Sequence, residues 1–150
     1  MTAPVRFRIY AGRKPSGFYA VCQVWPTFRA FDRNGRSKRH RCGPKTMATC
    51  TEVTVLNFDQ GAQRTKPIFA ELNFVRGHLT MEIVTHELFH ATMAWGRRIG
   101  FDWARLGADD CVNQDEERIT YVHGWLCRQF VARATTLGLY SEKTTVEVAA

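Results

Sequence analysis

The sequence predicts an α+β fold in a single domain, and three observations support this prediction. The first half of the chain contains segments rich in aromatic and β-branched residues, which are typical of strands. The second half contains two long segments with apolar residues at helical spacing. A length of 150 residues, with 45% hydrophobic and 12% aromatic residues, suffices for one core but not for two. We therefore expect one domain over residues 1–150, with an antiparallel or mixed sheet followed by two helices.

Four segments have the composition expected of strands, and they are residues 5–10, 17–25, 52–58 and 67–75. In the last segment, Ile68, Ala70, Leu72 and Phe74 alternate with residues of the opposite face, as they do in a strand. Between the second and third segments lies Asn34-Gly35, a dipeptide that is favoured in tight hairpin turns. The chain order therefore predicts a sheet that is complete before the first long helix begins.

Residues 79–99 are the first predicted helix, with Thr80 as its N-cap and Gly100 as its stop signal. This helix contains His86-Glu87-Leu88-Phe89-His90, which reads HExxH. Residues four apart lie on one face of a helix, so His86 and His90 can bind the same metal ion. Zinc suits neutral histidine nitrogens and leaves a position open for water, from which Glu87 can take a proton. The motif therefore predicts a Zn²⁺ site with Glu87 as its general base.

A zinc site of this kind needs a third protein ligand. Residues 113–136 predict a second helix, with Asn113 and Glu116 in capping-box positions and with apolar residues at helical spacing. The candidate ligands on this helix are Asp115, Glu116, Glu117 and His123. Negative charge at a helix N-terminus also complements the helix dipole, so the residues alone leave the third ligand open.

Residues 86–91 (HELFHA) and 116–126 (EERITYVHGWL), taken together, resemble the Glu-type zincins, or gluzincins. More narrowly, they are similar to small, mostly uncharacterised phage-encoded proteins, and the resemblance covers roughly residues 66–130. It implies a compact zincin-like core, Glu117 as the third ligand and Thr120 in a small-residue position. It also implies a zinc-dependent metallopeptidase-like hydrolase that cleaves a protein or peptide bond, encoded by a phage and acting in the host cytoplasm.

The chain departs from the gluzincin pattern in one respect. Many members place an aspartate shortly after the ligand glutamate, where it orients a zinc-bound histidine. This chain has Tyr121 four residues after Glu117. We expect Tyr121 either to orient a ligand, contact substrate or stabilise the oxyanion, or to be a buried structural residue. His123 is the runner-up ligand and lies on a different helical face from Glu117. No histidine occurs between Ala91 and Phe101, which excludes the longer metzincin pattern.

Positive charge is concentrated in the first third of the chain. Residues 1–50 carry eleven Lys and Arg against one acidic residue, a formal charge of +10, whereas the rest of the chain carries −3. Arg36, Lys38 and Arg39 follow the Asn34-Gly35 dipeptide closely. Such a loop can attract nucleic acid or acidic protein segments, or it can be a solvated hairpin. The alternative function is therefore a basic nucleic-acid- or protein-binding module with a structural zinc and no catalysis.

No apolar run approaches the length of a membrane span, and the first residues lack a signal-peptide core, so we expect no membrane partner. Five cysteines without a CxxC pair indicate reduced thiols and a cytoplasmic location. The substrate and the oligomeric state do not follow from the sequence.

Overall fold

The computed structural model describes residues 3–12, 17–34, 46–53, 67–106 and 114–140. These residues confirm the α+β class, with a four-stranded mixed sheet and helices on both of its faces. The elements in chain order are β1 (Val5–Tyr10), β2 (Tyr19–Trp25), α1 (Phe28–Asn34), β3 (Ala48–Glu52), β4 (Ile68–Val75), α2 (Met81–Arg98), a 3₁₀ turn (Trp103–Arg105) and α3 (Gln114–Thr136).

The sheet has the strand order β1-β2-β4-β3. β1 pairs with β2 and β3 with β4 in antiparallel fashion, whereas β2 and β4 are parallel. β4 is therefore a central strand, and its residues Phe69 and Asn73 are buried as well as Leu72. The predicted strand is confirmed, and residues on both of its faces are buried because helices cover both faces of the sheet. Buried Asn73 is satisfied by the indole N–H of Trp25, which donates to its Oδ1 at 2.9 Å.

The main core lies between one face of the sheet and the two long helices. α2 packs on β3 and β4, and α3 packs on β1 and on α2. The side chains buried in this layer include Ile9, Cys22, Leu72, Phe74, Leu88, Leu126 and Phe130. A smaller cluster of Trp25, Phe31 and Val75 joins α1 to the opposite face. This arrangement places α2 directly beside β3, which is an edge strand of the sheet within the described residues.

Two predictions from the first half of the chain are corrected. The strand expected at residues 52–58 is found at Ala48–Glu52, and residues 54–58 lie outside the described residues. The prediction of a hairpin turn at Asn34-Gly35 is wrong for Asn34, because Asn34 is the last residue of α1. The Thr27 hydroxyl accepts a hydrogen bond from the Ala30 N–H and so begins this short helix.

The boundaries of α2 agree with the predicted signals. The Thr80 hydroxyl accepts a hydrogen bond from the Ile83 N–H at 3.2 Å, as an N-cap does. Gly100 follows the helix with φ +69°, a left-handed conformation that glycine adopts without strain. α3 begins at Gln114, while Asn113 of the predicted capping box lies outside the described part of the chain.

The described cysteines, Cys22, Cys50 and Cys127, are all free thiols. None of the helices in the described ranges combines the length and the apolar character that crossing a membrane requires.

Candidate metal centre

The two motif histidines meet on the outer face of α2. Val84, Leu88 and Ala91 are buried against the sheet, and this fixes the rotation of the helix about its axis. His86 and His90 are therefore exposed, one turn apart, with their Nε2 atoms 3.1 Å from each other. Their rings lie edge to face, with centroids 4.7 Å apart. The structure confirms that the HExxH spacing brings both imidazoles to one point.

This separation matches what a shared metal ion requires. Two nitrogens bonded to one tetrahedral zinc at about 2.0–2.1 Å lie about 3.3 Å from each other. A hydrogen bond between the two rings gives a similar distance, so the pair needs only a small adjustment to bind an ion. The pKa of His90 is lowered by burial and by its neighbours His86 and Arg97. A lowered pKa favours the neutral imidazole, which is the form that binds metal.

Glu87 lies between α2 and the outer edge of β3. Burial raises the pKa of its carboxyl group, while His86 and a hydrogen bond with the Cys50 backbone oppose that rise. The register of β3 explains this hydrogen bond. The Val53 N–H donates to Phe69 of β4, and amides alternate in direction along an antiparallel strand. The Cys50 N–H therefore points away from the sheet, toward the Glu87 carboxylate.

A groove runs between β3 and α2, and we call it the cleft. One part has a volume of about 460 Å³ and is lined by Thr46, Ala48, Thr49, Cys50, Glu52, Glu87, His90, Ala94 and Arg97. A second part, of about 520 Å³, continues past Glu87 to His86 and the start of α2. Thr46, Ala48 and Glu87 belong to both parts. The candidate base therefore lies near the middle of an open groove that has an edge strand as one wall.

An ion pair links the two walls of the cleft. Arg97 donates from Nε and from Nη2 to the same Glu52 oxygen, Oε2, at 2.8 and 2.7 Å. Sequence reasoning missed this pair. Arg97 carries a usable signal, because it lies seven residues after His90 and therefore on the same helical face. Glu52 carries no such signal, since its position depends on a pairing with a strand that is distant in sequence.

Cys50 is another cleft residue that the sequence analysis did not assign to this site. Burial, and then the carboxylates of Glu87 and Glu52, raise the pKa of its thiol to about 12. The thiol is therefore protonated at neutral pH, so Cys50 is a structural part of the wall.

The structure does not bring Glu117 together with the histidine pair. Within the described ranges, no group of three or more His, Cys, Asp and Glu side chains is placed to hold a metal ion. Glu117 is exposed in the first turn of α3, and the residues immediately before that helix, 107–113, are outside the described part. Glu117 as the third ligand stays a prediction, as does the choice between it and Glu116.

Tyr121 lies outside the cleft. Its side chain is 69% exposed, so the interpretation as a buried structural tyrosine is wrong. Together with Trp125 and Arg128 it lines a separate hollow on α3. Its assignment as a catalytic residue remains a prediction that requires α3 to approach the cleft more closely.

His123 is packed in the interface between α2 and α3. Its Nδ1 is 3.4 Å from the Thr92 hydroxyl, its Nε2 is 3.7 Å from the Cys127 sulfur, and its ring contacts Phe89 edge to face. These contacts account for His123 as an interface residue, and the structure does not group it with His86 and His90. Arg36, Lys38 and Arg39, the candidate nucleic-acid contacts, lie outside the described residues.

No protein-family model matches the chain, and the comparisons with curated proteins and with solved structures found no match. The similarity to gluzincins therefore stays a prediction, and the functional proposal depends on the geometry of the cleft.

Proposed function

We propose that this chain is a zinc-dependent, metallopeptidase-like hydrolase in which His86 and His90 bind the metal ion and Glu87 transfers the proton. One observation carries the proposal: two imidazole Nε2 atoms lie 3.1 Å apart, beside a half-buried carboxylate, in an open cleft. A surface pair of histidines without this function would need neither the carboxylate nor the groove.

The residues of the cleft suit peptide hydrolysis. When bound, zinc supplies Lewis acidity and lowers the pKa of water to about 7. Glu87 is placed to accept a proton from the attacking water and to return it to the leaving amine. The raised pKa of Glu87 makes its carboxylate a stronger base than an exposed glutamate. The Cys50 N–H holds this carboxylate in one orientation.

The edge of β3 suits an extended peptide as substrate. Within the described residues β3 pairs with β4 only, so the outward amides and carbonyls of the strand face the cleft. An extended chain can add to such an edge through its own backbone, independently of its side chains. A zincin-like arrangement of this core, and a phage or host protein as substrate in the host cytoplasm, belong to the same proposal.

Metal content and hydrolysis test the proposal together. We expect one zinc per chain by elemental analysis, and loss of that zinc in His86→Ala and His90→Ala. Glu87→Gln should keep the metal but lose about 10²–10⁴-fold in the cleavage rate of a quenched-fluorescent peptide library. Unchanged cleavage by zinc-loaded Glu87→Gln would exclude Glu87 as the general base.

The uneven charge of the chain favours a second candidate function, a nucleic-acid- or protein-binding module with a structural zinc. Residues 1–50 carry a formal charge of +10. If Arg36, Lys38 and Arg39 contact phosphates, binding to a DNA duplex should weaken steeply with salt. Replacing the three residues with alanine should reduce the slope of log K against log[salt] by about 3. A gel shift that this triple substitution leaves unchanged would exclude the basic segment as the interface.

A further inference from the structure

The ion pair between Arg97 and Glu52 lies at the end of the cleft beside the C-terminus of α2. It points to the class of peptide that the cleft accepts. We propose that Arg97 binds a carboxylate of the substrate, so that the cleft selects acidic peptides. This inference rests on the proposed function in taking the cleft as the peptide-binding site and the histidine pair as the position of the cleaved bond. Neither the HExxH motif nor the edge strand requires such a preference.

The geometry of the pair leaves part of the guanidinium available. Arginine has five N–H donors in a planar fork. Arg97 uses only its side-on edge, since Nε and Nη2 both bond to a single Glu52 oxygen. The end of the fork, with Nη1 and the second hydrogen of Nη2, makes no hydrogen bond or ion pair with the described residues, and the Arg97 side chain is 50% exposed. That end is the geometry that binds a carboxylate through two parallel hydrogen bonds.

Glu52 is the positioning residue in this arrangement. It is anchored on β3, and its carboxylate holds the Arg97 side chain against the wall of the cleft. A long side chain held in this way loses less rotamer freedom when it binds a ligand. Of the other carboxylates of the cleft, Glu87 is turned toward the Cys50 N–H, and Glu82 lies at the opposite end, at the start of α2. The free end of Arg97 is thus a donor group that an incoming anion can use.

The helix sets the distance from this group to the scissile bond. Arg97 lies seven residues after His90, which corresponds to about 10.5 Å along the helix axis. An extended peptide advances about 3.3 Å per residue. The carboxylate bound by Arg97 should therefore lie about three residues from the cleaved bond. An acidic side chain and a peptide C-terminus present the same chemistry at that distance.

Direct binding tests the inference without requiring turnover. The protein is the zinc-loaded Glu87→Gln variant, and the probes are fluorescein-labelled alanine octapeptides with one Glu moved along the chain. Each probe has a Gln counterpart, and each is made with a free and with an amidated C-terminus. Fluorescence anisotropy should show Glu peptides binding about tenfold more tightly than Gln peptides, which corresponds to about 1.4 kcal/mol. A preference that needs only the free C-terminus would identify the terminal carboxylate as the group bound.

Substitution of Arg97 then distinguishes recognition of a substrate carboxylate from a purely structural ion pair between β3 and α2. Arg97→Gln should abolish the Glu-to-Gln preference, whereas Arg128→Gln, with the same charge change on α3, should keep it. Arg97→Lys retains the charge but lacks the fork, so this variant should also lose most of the preference. Arg97→Lys is the variant to use if circular dichroism shows that Arg97→Gln is unfolded. Equal weakening of both peptides by Arg97→Gln, or an unaltered preference in Arg97→Lys, would overturn the inference.

The outcomes also distinguish this inference from the proposed function. An Arg97-dependent preference in a protein that cleaves no peptide would keep the inference and reject the hydrolase. Glu87-dependent cleavage without any acidic preference would do the reverse.

Discussion

Glu87 and Cys50 are coupled through space although they lie on different elements. Burial acts on both groups in the same direction, because it disfavours the charged carboxylate and the charged thiolate. The carboxylate of Glu87 raises the pKa of the Cys50 thiol further, while the Cys50 amide stabilises that carboxylate. A thiol can therefore report on the candidate catalytic residue without any assay of catalysis.

Alkylation of Cys50 provides this report. A pKa raised from 9.0 to about 12 lowers the thiolate fraction of the folded protein about a thousandfold below pH 9. Iodoacetamide at about pH 8 should therefore modify Cys50 far more slowly in the folded protein than in urea. Glu87→Gln removes one of the charges that raise the pKa, so it should accelerate the modification. Peptide mass spectrometry measures both rates, and an equally slow reaction in Glu87→Gln would place the carboxylate away from the thiol.

Zinc affinity distinguishes the two candidate glutamates of α3. If Glu117 is the third ligand, Glu117→Gln should weaken zinc binding by more than about tenfold, since even residues that only support a ligand change affinity about 10–100-fold. Glu116→Gln makes the same charge change one residue away and should leave the affinity nearly unaltered. Competition with a chromophoric chelator gives both constants. A larger loss in Glu116→Gln would transfer the assignment to Glu116.

At the scale of the elements, α2 was predictable because its signals are local. Thr80, the HExxH spacing and Gly100 define its start, its exposed face and its end within one stretch of chain. β3 was misplaced because residues 48–52 have a weaker β pattern than the segment that follows them. Its position is decided by pairing with β4, in which Cys50 lies opposite Leu72. The pair of histidines could therefore be inferred from sequence, while the opposite wall of the cleft could not.

The same distinction explains why the third ligand stays a prediction. Whether a glutamate of α3 reaches the histidine pair depends on how α3 approaches α2, which no local pattern specifies. The acidic first turn of α3 is equally well explained by the helix dipole.

Two helical glycines, one in α2 and one in α3, provide a matched test of helix packing. A Cβ at Gly96 of α2 would lie 2.3 Å from the Trp103 ring, so the ring or the helix must move. Gly96→Ala should therefore destabilise the fold by about 1–3 kcal/mol, as overpacking does. Gly124 of α3 has no neighbour within 4 Å, and Gly124→Ala should stabilise by about 0.5–1 kcal/mol through helix propensity. Urea denaturation measures both changes, and a neutral Gly96→Ala would show that Trp103 can relax freely.

At the scale of the whole molecule, metal binding should stabilise the fold. A ligand that binds only the folded state adds about 2.7 kcal/mol when its free concentration is a hundred times its Kd. For a chain of this length, the corresponding rise in Tm is about 5–10 °C. Zinc should produce that rise in the wild type, and a chelator should reverse it. His86→Ala is the control, and an equal rise in that variant would mean that zinc binds elsewhere.

The hydrogen bond between Glu87 and the Cys50 amide has a consequence for how separate copies of this protein meet. An open strand at the margin of a sheet is a template on which another chain can polymerise. Here that margin is only five residues long, and a negatively charged group occupies one of its outward amides. Because that amide is already engaged, an incoming strand can use only the remaining outward groups of β3, so we expect association of copies through this edge to be weaker than with every amide free. Acidification, which neutralises that carboxylate, should weaken its hydrogen bond with the Cys50 amide and so favour such association.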